Sequence, residues 1–68
     1  MTIGIDKASD TAYIRFAPGT PFESEEVEPG IVLDFNASGT VIAIELLGIS
    51  DRLPSDAFSK VEVLTGTL

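Results

Sequence analysis

The run from Val27 to Leu47 reads as strand, tight turn, strand, and that block limits the chain to a small antiparallel β domain. Ile31, Leu33 and Phe35 alternate with Val32 and Asp34, the period of a half-buried strand. Asn36-Ala37-Ser38-Gly39 fits a type I turn closed by a left-handed glycine. From Val41 the pattern changes. Ile42, Ile44 and Leu46 fall on one face and Val41, Ala43 and Leu47 on the other, with Glu45 as the exception. A strand apolar on both faces is covered on both. In so short a chain a helix can cover one of them, and the other calls for a second layer or a second copy. The expectation is a homodimer whose interface draws on Val41, Ile42, Ala43, Ile44, Leu46 and Leu47.

The flanking segments fit the same class. Ile3 and Ile5 alternate with Thr2, Gly4 and Asp6, and Thr11–Phe16 is rich in β-branched and aromatic residues, so the two predict a hairpin around Asp6–Asp10. Pro18, Gly19 and Pro21 end it. Phe22–Glu28 carries Glu23, Glu25, Glu26 and Glu28, and is read as an extended, water-facing edge strand. After Gly48, Pro54 and Ser55-Asp56 suit a helix start, and Leu53, Ala57, Phe58 and Val61 recur at helical spacing. Residues 61–64 fit either a strand or a continued helix. The fold class expected is α+β, mostly β: one domain over residues 1–68, a small antiparallel β-meander of four to five strands with one short C-terminal helix.

Size and charge narrow the function. A domain of 68 residues is near the lower limit of what folds alone, and such scaffolds usually rely on disulfides, a metal or oligomerisation. The chain has no cysteine and no histidine, which removes disulfides, thiolate sites and the commonest transition-metal ligand. Four basic residues against eleven acidic ones give a net charge of −7, which opposes nucleic-acid binding. The N-terminus lacks a basic region followed by a long apolar run, and no stretch approaches the length of a membrane span. A cytoplasmic protein without membrane attachment is expected.

Candidate constellations are few. Asp6 and Asp10 could hold a hard cation, but carboxylates flanking a turn more often cap its backbone N–H groups, and no metal site or cofactor is assigned. Arg15 and Glu45 are the charges deepest inside apolar strands. They are expected to form a structural ion pair across neighbouring strands; the alternative is that they line a pocket to which Tyr13 adds a hydroxyl. Serine and cysteine nucleophile systems that require histidine are excluded, no phosphate-binding loop is present, and the chain is not expected to be an enzyme.

Two stretches together resemble the DUF2283 family of small prokaryotic proteins. Asp6–Phe16 is similar to the family's opening, roughly Tyr-Asp, three residues, then Asp-Ala-Leu-Tyr-Ile-Arg. Glu26–Phe35, Gly39 and Val41–Leu47 are similar to its remainder, so the likeness spans about residues 5–53. Ile5 stands where an aromatic is usual, Thr11 replaces the alanine after Asp10, and Gly48 lies where aspartate is frequent. The resemblance implies no catalytic residues. It implies at most an antitoxin-type role, because members are reported beside small toxin-like proteins.

The functional expectation is a non-catalytic protein-binding module that offers Glu23, Glu25, Glu26 and Glu28 to a basic partner protein. The alternatives are a structural homodimerisation domain and a weak divalent-metal-binding protein.

Overall fold

The computed structural model describes residues 1–66. Five strands form one antiparallel sheet: β1 (Thr2–Asp6), β2 (Thr11–Arg15), β3 (Glu23–Glu28), β4 (Ile31–Phe35) and β5 (Val41–Leu47). Their order across the sheet is β1-β2-β5-β4-β3. The N-terminal hairpin and the β3-β4-β5 meander are therefore joined through β5, the last strand in sequence, which takes the centre. This follows from its composition, since β5 has the most apolar side chains to remove from water.

The turns match their sequences. Gly39, at φ 81°, donates its N–H to the Asn36 carbonyl at 3.0 Å, and Asn36 Oδ1 accepts from the N–H groups of Ser38 and Thr40, each at 3.0 Å. A side chain with a Cβ is strained at that φ. The Asp6–Asp10 turn is held by Asp6 Oδ1, which accepts from Ala8 N at 3.0 Å.

Register assigns each side chain to a face. Ile3, Ile14, Ile44 and Leu33 are opposite one another in successive strands and form one apolar row, ending at Glu25. Ile5, Ala12, Leu46 and Ile31 form the row beside it. The other face is polar. One of its rows runs Gly4, Tyr13, Glu45, Val32, Glu26, and the next runs Thr2, Arg15, Ala43, Asp34, Ser24. A register shift between Asp34 and Phe35 sets Phe35 opposite Val41, so Ile42 is the extra residue of a bulge. Val41 thereby leaves the side of Ala43, where simple alternation had it, and joins Phe35.

The buried core is small: Ala12, Ile42, Ala43 and Ile49, with Ile42 only 1% exposed. The expected double covering of β5 is met in part. On the polar face Ala43 is buried, and Glu45 and Leu47 are half-buried. On the apolar face Ile42 is buried, and Ile44 and Leu46 are half-buried.

The C-terminal helix is shorter and earlier than the spacing after Pro54 predicts. It is one turn, α1 (Ile49–Arg52), and the Ala57–Ser59 stretch is a single 3-10 turn. Leu53 is extended because the next residue is Pro54, whose ring disfavours helical backbone before it. The remaining stretch is too short to offset helix nucleation. Rather than lying on a face, α1 closes one end of the sheet. Ile49 N donates to Asp10 O at 3.1 Å, and Arg52 Nη2 donates to Pro29 O at 2.7 Å. Neither helical turn packs extensively on any strand. Residues 61–66 are neither strand nor helix and are exposed.

Candidate functional site

The acidic segment is β3, and it lies at a free edge of the sheet. Glutamate disfavours strands, so partners on one side must hold it there. Phe22 N donates to Phe35 O at 2.7 Å, and Ser24 Oγ donates to Asp34 Oδ1 at 2.6 Å. The register places Glu23 and Glu25 on the apolar face and Glu26 on the polar face, and the shift between Glu26 and Glu28 makes Val27 a bulge. All six residues of β3 are exposed. Among the described residues the one ion pair is Lys60–Asp56 at 2.9 Å, so the four carboxylates of β3 have no protein cation against them. Exposed Phe22 and Val27 flank the row. One set of β3 backbone N–H and C=O groups faces outward, as in any edge strand.

A second candidate is a shallow hollow of about 300 Å³ on the polar face, lined by Tyr13, Arg15, Pro21, Asp34, Ala43 and Glu45. It brings Arg15, Glu45 and Tyr13 together, as the pocket alternative had it, but the Arg15–Glu45 ion pair does not form. The two share a face without standing opposite each other, because Arg15 pairs with Ala43 and Glu45 with Tyr13. The guanidinium of Arg15 turns to its own loop and donates to the Gly19 carbonyl. Glu45 has Asp34 as its neighbour instead. The hydrogen bond with the Asp34 carboxyl, which exists only while a proton lies between them, holds the Glu45 pKa above its ordinary value; removal from water and the Asp34 charge act in the same direction. Asp34 is buried, 6% exposed, and is tied to Ser24. Sequence reasoning missed Asp34 as a site residue. The available signal was a carboxylate in the apolar run Ile31–Phe35, on the same side as Val32.

Tyr13 is set by Gly4. The two are cross-strand partners, and a Cβ on Gly4 would lie 2.1 Å from Tyr13 Cε1. The ring therefore occupies the space that a side chain at position 4 would fill. Gly4→Ala is expected to swing the half-exposed ring toward water and change stability by no more than about 1 kcal/mol. Tyr13 is the sole tyrosine and the chain has no tryptophan, so near-UV circular dichroism reads this position cleanly. An unchanged signal would contradict the packing.

Asp6 and Asp10 do not converge on a common point. Asp6 caps its own turn, whereas Asp10 bonds 40 residues ahead: its Oδ1 accepts from Ser50 N at 3.1 Å and its Oδ2 from Ser50 Oγ at 2.6 Å. Among the described residues no group of three or more potential ligands gathers that could hold a metal ion. A larger cavity of about 510 Å³ lies beside Asp10, with Ile5, Ile49, Leu53 and Phe58 as its apolar lining. No described helix is long and apolar enough to cross a membrane.

The profile of a family described as "Protein of unknown function (DUF2283)" matches residues 3–50, more than half of the chain. The chain belongs to the DUF2283 family. No curated protein and no solved structure matches it. The DUF2283 match takes in nearly all of the sheet, including the acidic edge and the Asp34–Glu45 pair, and stops inside α1. The Pro54–Gly66 segment lies beyond the DUF2283 portion.

Proposed function

We propose that this DUF2283 protein is a non-catalytic protein-binding module that receives a basic, extended segment of a partner along β3. The observation that carries this reading is the combination in one place of an open strand edge and four unneutralised carboxylates, Glu23, Glu25, Glu26 and Glu28. An edge strand accepts another strand through main-chain hydrogen bonds, while side chains on alternate positions select the partner. Glutamates on both sides of β3 repel a second acidic strand, so the edge is closed to copies of itself and open to lysine- or arginine-bearing segments. Phe22 and Val27 supply apolar anchors beside the charges. A short basic neighbour of the toxin type fits this chemistry, which is how the antitoxin-like role would be exercised.

The test uses a synthetic peptide of alternating lysine and valine titrated onto the full chain. Affinity is expected to fall steeply between about 0.01 and 1 M salt, over which the screening length shrinks from about 30 to about 3 Å. Replacing all four glutamates of β3 with glutamine is expected to abolish binding while leaving the melting temperature unchanged or raised. Salt-independent binding, or equal binding by the substituted chain, would refute the reading.

A further inference from the structure

The apolar face is larger than one copy of this chain can cover. A folded monomer of 7.2 kDa is expected to expose about 4,100 Å². This chain exposes 5198 Å². The excess of about 1,100 Å² is shared between the exposed 61–66 segment and the sheet face, and a stable interface takes about 800 Å² from each partner. Shape agrees with area. The molecule is a slab of 36 × 35 × 19 Å, and its radius of gyration, 13.2 Å, exceeds the value of about 11 Å expected at this length. The surplus surface has a location. Ile3 is 44% exposed and Ile5 42%, and beside them Ile14, Ile44, Leu33, Leu46 and Ile31 are half-buried, so the face spans four adjacent strands.

We infer that this face is covered by the same face of a second copy, in a two-layered sheet packing with Ile44 near the twofold axis. A twisted apolar sheet is complemented by another of like twist, at a spacing of about 10 Å. The chain itself supplies that surface, and a twofold dimer requires nothing beyond one self-complementary patch. Charge permits the arrangement, because Ile3, Ile14, Ile44 and Leu33 form an uncharged row and the acidic side chains enter only at its β3 end. The interface is not the set read from β5 alone. Ile42 is already buried within one copy and Ala43 and Leu47 lie on the polar face, so Val41, Ile44 and Leu46 are the β5 residues left for a partner, joined by Ile3, Ile14 and Leu33.

This inference is independent of the acidic-edge reading, and salt separates them. Two copies of charge −7 repel, so added salt strengthens self-association, whereas it weakens capture of a basic peptide. Sedimentation equilibrium across the micromolar range is expected to give twice the chain mass, with the dimer favoured by salt. Ile44→Lys is expected to yield monomer. Should that variant not fold, Ile3→Lys serves, because Ile3 is exposed in the single chain and a lysine there leaves its strand intact; it is expected to weaken the dimer at least tenfold with an unchanged far-UV spectrum. A wild-type monomer at every concentration overturns the inference. So does a dimer that Ile3→Lys leaves untouched, since the interface would then lie elsewhere.

Discussion

Ile42→Ala is expected to unfold much of the protein at physiological temperature. Ile42 is the largest side chain wholly removed from water, and it sits in the bulge of the central strand. Truncating such a residue costs about 2–5 kcal/mol, part for lost transfer and part for the cavity left behind. A chain of this length has a total stability of about 3–10 kcal/mol. In a domain this small each kcal/mol moves Tm by about 4–8 °C, so the melting curve should fall by tens of degrees. Phe22→Ala is the control. Phe22 is larger but 70% exposed, and its loss should shift Tm by a few degrees at most. Thermal denaturation followed by circular dichroism checks both. An Ile42→Ala protein that melts like the wild type would mean that the core lies elsewhere.

The second large effect is on pH. Glu45 has a folded pKa above its ordinary value of about 4.5, chiefly through the hydrogen bond with Asp34. The folded state therefore holds that proton more tightly than the unfolded chain does. The stabilisation is complete below the unfolded value and is lost as pH rises through the raised folded value. Above it, two carboxylates face each other on the polar face, with Glu26 in the same row as Glu45 and the Arg15 guanidinium turned toward Gly19. Glu45→Gln supplies a permanent donor to Asp34 and removes the repulsion. Its Tm is expected to exceed that of the wild type at neutral pH, and the gap is expected to close as pH falls toward the ordinary carboxylate range. An Arg15–Glu45 ion pair would give the opposite sign, with the substitution destabilising at neutral pH. Melting curves for both proteins across this range distinguish the cases.

Much of the sheet is legible in the residues themselves. The alternation of Ile31, Leu33 and Phe35, the Asn36–Gly39 turn and the apolar run to Leu47 specify β4, β5 and their hairpin, and the glutamates of β3 mark an edge because charge blocks unwanted pairing. What sequence leaves open is non-local. Placing β5 against β2 requires a contact across some thirty residues, and nothing in either strand encodes which neighbour it takes. The Asp34–Glu45 pair depends on the register between β4 and β5, which alternation along one strand does not reveal. Arg15 illustrates the same limit. Its face can be read from the pattern, but a carbonyl four residues ahead competes for its guanidinium, and only the folded loop decides that contest. The position of α1 is obscured for another reason: one turn is too short to show helical periodicity, and Asp10, its anchor, lies 40 residues upstream.

The acidic edge faces its most direct test in an NMR titration. With backbone amides of the full chain assigned, the lysine–valine peptide is added at low salt. Progressive shifts are expected from Phe22 to Glu28 and in the adjoining β4 amides, with β1 at the far edge unmoved. Shifts centred on β1 or on the polar hollow, or none at all, would contradict the assignment of β3 as the surface that meets a partner.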